Sequence, residues 1–452
     1  MRGAEFRQTW SRRLFAALIA SFLVVAAQPA AALKFETVYE FGAVAKNGAK
    51  PWDTVITDGK GNLYGTTSGG GKFGGGAVFE LSPPGVAGGK WTESLLYSFG
   101  GNSEDGVGPR ARLVMGPAGD LFGTTAFGGA YYSSGTIFEL LPPKVAGGKW
   151  TEKILHSFGQ YPTDGLVPVI DGLTLDAKSN LYGATSGGGA NSLGPPDELC
   201  PTGCGTVYEV SPPATPEGEW TERLIHSFGA TVGGGLGPES GFIADADGNL
   251  YGVTRGGGAY GTLTNGGGGG TVFELKTPAK PGEGWTETVI ASFALCNTCT
   301  NGQPPYGRLA FDASGNLYGS TLYGGSGTDG TIFQSLRPTK AGGQWTTTTI
   351  HNFFGPPYDG EEVWGGLVVD AKGNVFGASQ GGGAHSYGSV FELAPPKTKG
   401  GTWTFSFVHS FGSYDGAYPS GGLLMTPAGD LLGTTTDSGP YCDCGTVFEL
   451  TP

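Results

Sequence analysis

Gly61-Asn62-Leu63-Tyr64-Gly65-Thr66-Thr67 returns as Gly119-Asp120-Leu121-Phe122-Gly123-Thr124-Thr125, again around Tyr182, Tyr251, Tyr318 and Phe376, and last as Leu431-Leu432-Gly433-Thr434-Thr435. The seven copies lie 56 to 69 residues apart. A second block close to Gly-Thr-Val-Phe-Glu-Leu accompanies them, as at residues 135–140, 270–275 and 445–450. A third opens on Trp-Thr, at Trp91, Trp150, Trp220, Trp285, Trp345 and Trp403. A short apolar run, such as Gly366-Leu367-Val368-Val369-Asp370, precedes each Leu-Tyr-Gly copy. Each unit therefore holds four short β segments: a (apolar run), b (Leu-Tyr-Gly), c (Thr-Val-Phe) and d (Trp-Thr through Ser-Phe-Gly). Asp370-Ala371-Lys372-Gly373-Asn374 exemplifies the tight Asp/Gly turn from a to b.

Four antiparallel strands repeated seven times predict an all-β, seven-bladed β-propeller over residues 33–452, one domain; a solenoid would use shorter rungs. Side-chain size fits a wedge. Gly65, Gly123, Gly183, Gly252, Gly319, Gly377 and Gly433 on b are expected to keep the axial side narrow, and d-strand aromatics such as Trp150 and Phe158 to fill the widening side. The ring also closes on paper. Lys34-Phe35-Glu36-Thr37-Val38-Tyr39-Glu40-Phe41-Gly42 reads as a d strand with no a, b or c before it, whereas the chain ends on a c strand at Leu450. Pairing the two covers an open sheet edge.

Composition agrees. Gly (87) and Pro (30) make about a quarter of the 452 residues, yet hydrophobic residues reach 38% and aromatics 12%, too many for a disordered chain. At the N-terminus, Arg2, Arg7, Arg12 and Arg13 precede an apolar run over residues 14–27 and the small-residue stretch Ala30-Ala31-Ala32. That is the pattern of a signal peptide over residues 1–32, cleaved to leave Leu33 first. Ser11-Arg12-Arg13-Leu14-Phe15 fits twin-arginine export and the apolar core fits the general secretory route. The expected product is secreted, periplasmic or extracellular, with no membrane span after cleavage. Removing residues 1–32 leaves 22 basic against 38 acidic residues, net −16, a surface that repels nucleic acid. Cys200/Cys204, Cys296/Cys299 and Cys442/Cys444 are candidate local disulfides in an oxidising compartment; the last spacing is tight enough to leave another partner or a metal open.

Leu-Tyr-Gly-Thr-Thr-x-x-Gly-Gly followed by Gly-Thr-Val-Phe-x-Leu resembles the gloVer tandem-repeat family of secreted bacterial proteins, over essentially all of residues 34–452. The resemblance implies an exported, propeller-like protein and supplies no catalytic residues.

The residues themselves carry little chemistry. His156, His226, His351 and His409 share one position on strand d, where Tyr39, Tyr97 and Ala291 stand in other units; a residue placed by the repeat in separate blades serves packing. Strand c repeats Glu80, Glu139, Glu209, Glu274, Glu392 and Glu449, read as solvated or strand-paired. Turn carboxylates Asp58, Asp176, Asp245, Asp312 and Asp370 suit Asx turns. Asp245-Ala246-Asp247-Gly248-Asn249 is a fragment of a calcium loop without the distal Glu, so no cofactor is expected beyond a weak Ca²⁺ signal. The Gly runs lack the Lys-Ser/Thr of a phosphate loop, and no Gly-x-Ser-x-Gly or His-Glu-x-x-His occurs.

The d–a connections carry Asn47, Asp105, Asp164, Asn301, Asp359 and Asp415, and the b–c connection of unit six carries His385, the one histidine outside the repeat. Strand alternation puts d–a and b–c connections on one face, which also gathers the long insertions (190–204 and 259–269) and all three cysteine pairs. Such a rim suits ligand binding. The expectation is a monomeric binding module for a glycan or envelope protein, with those seven residues as candidate ligand contacts and no catalytic residue or metal ligand assigned. Two alternatives stand beside it: a carbohydrate-active hydrolase or lyase using Asp164, Asp359 or Asp415, and an envelope scaffold.

Overall fold

The computed structural model describes residues 33–42, 47–86, 88–145, 147–161, 163–191, 200, 202–215, 218–260, 268–280, 283–295, 301–340, 342–356, 358–412, 414–437 and 444–452. The leader expected over residues 1–32, and Cys296, Cys299 and Cys442, lie outside these residues. Seven antiparallel sheets form a seven-bladed propeller. In the first blade Ile56–Thr57 (a), Leu63–Thr67 (b), Ala77–Ser82 (c) and Thr92–Ser98 (d) follow one another outward from the axis, and the other blades repeat the order.

The seventh blade is assembled from both chain ends. Leu424–Met425, Leu431–Thr435 and Thr446–Thr451 supply a, b and c, and Lys34–Glu40 supplies d, pairing Phe35 with Leu450 and Tyr39 with Val447. This d strand skips Val38 as a bulge, just as the other d strands skip the aliphatic residue in the same place, for example Leu96, Leu155 and Val408. A bulge turns the residues after it toward a new direction. Here it sends the following His or Tyr and then the Phe of Ser-Phe-Gly into the seam with the next blade.

That Phe closes each seam. Phe41, Phe99, Phe158, Phe228, Phe293, Phe353 and Phe411 are buried, each with its ring 5.0–5.4 Å from the strand c aromatic of the next blade (Phe79, Phe138, Tyr208, Phe273, Phe333, Phe391 and Phe448). Each contact adds about 1 kcal/mol beyond area burial. The strand b glycines have a different cause from the narrowing axis. A Cβ on Gly65 would fall 2.5 Å from the Phe79 ring, and one on Gly123 2.5 Å from Phe138. The glycine makes room for its cross-strand aromatic neighbour within one blade.

Both d–a and b–c connections emerge on one face, termed the upper face. Small ribbons tie them together: Gly48–Ala49 pairs with Gly69–Gly70, Gly106–Val107 with Phe127–Gly128, and Gly360–Glu361 with Gly381–Gly382.

Of the three cysteine pairs expected from spacing, the described residues contain both members of one. The Cys200–Cys204 disulfide, with Cα atoms 4.9 Å apart, sits in the b–c connection of the third blade. Cys444, at the end of the b–c connection of the seventh blade, is also disulfide-bonded. This corrects the metal alternative left open for Cys444, because a sulfur committed to a disulfide is no thiolate ligand. Its expected partner, Cys442, lies outside the described residues, so the Cys442–Cys444 pairing stays a sequence expectation. Cys444 packs against the core between the seventh and first blades with Val55 and Val447, and its carbonyl accepts from the Lys50 amide at 2.7 Å.

Candidate functional site

The d–a residues singled out in the sequence are spread over the blade seams. Asp164 Oδ1 lies 3.3 Å from His156 Nε2, and its Oδ2 accepts from Gly159 and Gln160 amides at 2.9 and 3.1 Å. Asp359 meets His351 at 3.2 Å and the Phe354 amide at 2.7 Å; Asp415 meets His409 at 2.9 Å and the Gly412 amide at 2.6 Å. Burial works against the Asp415 charge, but the His409 and Gly412 hydrogen bonds hold its carboxyl below the usual range. Asp105 accepts from the Gly101 amide at 2.8 Å. Asn47 donates to Tyr39 Oη at 3.2 Å and to Glu93. Asn301 accepts through its backbone carbonyl from Thr331 Oγ1 at 3.3 Å. His385 is exposed. Among the described residues, Asp164, Asp359 and Asp415 share no hydrogen-bond partner. Asp164 also lines a hollow of about 280 Å³ between Tyr132 and Tyr161.

The seams have a third member that the repeat reading did not pick out, the Glu of Trp-Thr-Glu on the next blade. Tyr39 Oη donates to Glu93 at 2.8 Å, Tyr97 Oη donates to Glu152 at 3.0 Å, and His226 Nε2 lies 3.3 Å from Glu287. Where that Glu gives way to Phe, the ring stacks on the histidine instead: Phe405 on His351 at 4.6 Å and Phe35 on His409 at 3.8 Å. The strand c and turn carboxylates are likewise engaged locally. Glu274 accepts from Tyr251 Oη at 2.9 Å, and Asp245 accepts from the Asp247 and Asn249 amides at 3.0 and 2.9 Å.

The seam of Tyr97, Asp105 and Glu152 brings two carboxylates together with no histidine. Among the described residues, Glu152 Oε1 and Asp105 Oδ1 are buried without hydrogen-bond partners. Burial, and then the Asp105 charge, push the Glu152 carboxyl up to about 7 despite the Tyr97 hydrogen bond. A folded-state pKa above the unfolded one means that stability is full below the unfolded value and falls as pH rises through about 7. Glu152→Gln should therefore melt ~2 °C above the parent at pH 8 and level with it at pH 4.5. Parallel melting curves at both pH values, with no narrowing of the gap, would refute this.

A second set of residues gathers at the axis. After the Pro or Val that ends each d–a connection, three residues lead into strand a. The first of the three is Trp52, Arg110, Ile170, Glu239, Tyr306, Trp364 and Ser420 in blade order. The structure links them around the channel mouth. Arg110 lies over the Trp52 ring at 5.3 Å; Tyr306 and Trp364 meet edge to face at 5.0 Å; Glu239 pairs with Arg255 at 3.2 Å. Trp52, Ile170, Trp364 and Ser420 line one hollow together with Asp53 and Asp171. Just before this ring the backbone is left-handed, and four blades carry side chains there instead of glycine: Lys50, Val167, Glu362 and Tyr418, at φ 60°, 58°, 55° and 58°. Such strain costs about 1 kcal/mol or more per residue and concentrates at functional sites.

Below the ring lie the second and third residues of each trio. Half of these are glycine, and the backbones nearly touch: a Cβ on Gly421 would fall 2.8 Å from the Asp53 Cα, and one on Gly241 2.6 Å from the Asp171 carbonyl. Four charges interrupt the glycines. Asp53, Arg112, Asp171 and Arg308, from four blades, line a chamber of about 60 Å³ with Thr54, Gly366 and Gly422. Asp53 accepts from the Thr54 and Arg112 amides at 2.7 and 2.9 Å, and Arg308 reaches across the axis to donate to Thr174 Oγ1 at 3.0 Å. Burial, and then the Asp53 charge, raise the Asp171 carboxyl to about 8 against Arg308 and Arg112. Burial and Arg112 lower the Arg308 guanidinium to about 9, which leaves it charged at neutral pH. The sequence held the signal for this site: the trios Trp52-Asp53-Thr54, Arg110-Ala111-Arg112, Ile170-Asp171-Gly172 and Tyr306-Gly307-Arg308 break a position that is glycine-rich elsewhere.

No curated protein matches the chain. Solved structures similar to it include the aldose sugar dehydrogenase of Streptomyces coelicolor (13% identity, 94% of this chain and 99% of that one, TM-score 0.44). The NanB sialidase of Streptococcus pneumoniae has 11% identity over 92% of this chain and 70% of that one, TM-score 0.44. The gluconolactonase XC5397 of Xanthomonas campestris has 14% identity over 75% of this chain and 90% of that one, TM-score 0.35. The sequence profile of the Gloeobacter/Verrucomicrobia repeat matches residues 24–196 and 259–452, and the chain, with its seven Leu-Tyr-Gly blades, belongs to that repeat family.

Proposed function

We propose that this chain is an exported binding module that docks a glycan on the upper face, at the mouth of the central channel. The observation that carries the reading is the ring of Trp52, Arg110, Ile170, Glu239, Tyr306, Trp364 and Ser420. A repeat that serves only the fold keeps one residue type at one position, as the seam Phe does. Aromatic, cationic, acidic, aliphatic and hydroxyl side chains at one axial position instead make a varied surface, with the groups that stack on sugar rings and bond hydroxyls. Exposed aromatics point the same way: Tyr132, Tyr161, Tyr260, Tyr323, Tyr358 and Tyr414 all lie on upper-face connections or strand ends. The leader-like residues 1–32 support export.

Glycan-array screening of the leader-free chain tests the reading. Trp52→Ala/Trp364→Ala should weaken the selected glycan ~30-fold, the loss of about 2 kcal/mol typical of an anchoring aromatic, with its melting temperature nearly unchanged because both rings are only half-buried. Val86→Ser on the opposite face should bind as the parent does. Capture of an envelope protein with no glycan signal would replace the glycan with a protein ligand, and an array without selective binding would end the glycan reading.

A further inference from the structure

The charged chamber under the mouth is a second feature; it shares Asp53 and Asp171 with the hollow beneath the aromatic ring and adds Arg112 and Arg308. Its four ionisable side chains come from blades one, two, three and five, so the repeat does not demand them. Asp171 is only 6% exposed, and among the described residues its Oδ2 has no hydrogen-bond partner; Arg308 Nη1 is buried and likewise unpartnered among them. Both side chains line the same chamber. A buried acceptor and a buried guanidinium N–H left open lose their hydration without replacement, so such a pair is retained where something else completes it.

We propose that the axial chamber binds a carboxylate group. A carboxylate is planar and matches the fork of a guanidinium, and Arg308 Nη1–H and the Arg112 guanidinium provide the donors. The chamber, at about 60 Å³, has room for more than one water-sized group, which admits a carboxylate head. Charge agrees. Burial raises both carboxyls, but Asp53 has Arg112 and two backbone amides to favour its ionised form, whereas the Asp53 charge adds to burial in favouring the proton on Asp171. Arg112 and Arg308 bring positive charge to the chamber inside a strongly acidic protein, and a protonated Asp171 can donate from Oδ2. The carboxylate can belong to a free small acid or to the end of an acidic saccharide.

The test uses the leader-free chain, with binding of formate, acetate and galacturonate read by calorimetry against chloride at matched ionic strength. Acetate is expected to bind and Arg308→Gln to weaken it at least tenfold. The groups facing Asp171 are Asp53, Arg112, Arg308 and Tyr306, and of the chamber's acids Asp171 is the one whose proton is lost near pH 8. Parent affinity should therefore fall as pH rises from 6.5 to 8, below the range in which Arg308 itself titrates, and Asp171→Asn, which keeps a donor, should bind with a flatter profile over that range. Binding of galacturonate as well as acetate would assign the saccharide source, and acetate alone the free acid. Equal heats with chloride, or an unchanged affinity in a folded Arg308→Gln, would overturn the proposal; if that variant does not fold, a pH profile of Asp171→Asn that follows the parent would do so. Arg308 does not line the hollow beneath the aromatic ring, so glycan binding should survive Arg308→Gln, and failure of either reading is separable from failure of the other.

Discussion

A leader-free chain lacking residues 33–42 is expected to lose its single cooperative melt and to aggregate on warming, with any residual transition at least ~10 °C lower. Three losses combine. The hydrogen bonds from Lys34–Glu40 to Thr446–Thr451 vanish, which opens a six-residue strand edge on the seventh blade. Phe41, 1% exposed, leaves the Phe79 ring uncovered; truncation of a buried Phe alone costs about 3–5 kcal/mol. Phe35 leaves His409 and Phe448 on the preceding seam. A synthetic peptide of residues 33–42 should restore the transition when added in excess. An unchanged cooperative melt of the shortened chain would show that the ring holds without this strand.

Gly421→Ala should be a severely damaging single methyl addition, lowering stability by about 3 kcal/mol or more. The added Cβ would fall 2.8 Å from both the Cα and the carbonyl carbon of Asp53 and 2.8 Å from the Thr54 nitrogen, all backbone, so no side chain can swing away. Gly365→Ala should behave alike, since its Cβ would collide with the Gly421 backbone. Neither glycine has a positive φ, so the penalty is one of space and not of backbone conformation. Gly85→Ala, on the opposite face with nothing near its Cβ, is the control and should melt with the parent. Denaturant midpoints for the three variants decide the matter; a tolerated Gly421→Ala would mean that the inner strands are not in contact at this level.

The architecture was legible because the repeat writes it seven times. Leu-Tyr-Gly, Thr-Val-Phe and Trp-Thr mark strands whose alternation is a local property, and the orphan d strand at residues 34–40 announced the closure later found between Tyr39 and Val447. The upper face followed from antiparallel alternation alone. The histidines, too, were rightly read as parts of the repeat, for their seams differ only in which neighbour completes them. What escaped was the bulge at Val38 and its equivalents, which no residue type announces, and the Glu of Trp-Thr-Glu, whose partner sits 54 residues away in the chain (Tyr39 with Glu93). Spacing alone also left Cys444 open between a disulfide and a metal, since a Cys-x-Cys pair suits either; the structure gives the disulfide. The strand b glycines were expected in their positions, but their reason, a cross-strand aromatic, appears only once the register is known.

The amino-acid order alone determined strand type, blade number and the way the ring closes, since those depend on spacing and on neighbours near in sequence. Only the tertiary structure decided where the chemistry gathers. Asp53, Arg112, Asp171 and Arg308 are far apart in the chain and unremarkable one by one; the closure of seven blades on one axis buries them around one chamber and turns four ordinary charges into a single electrostatic unit. The d–a carboxylates, so prominent when the repeats are read in line, are drawn by the same geometry into separate seams, where backbone amides and histidines take up their oxygens.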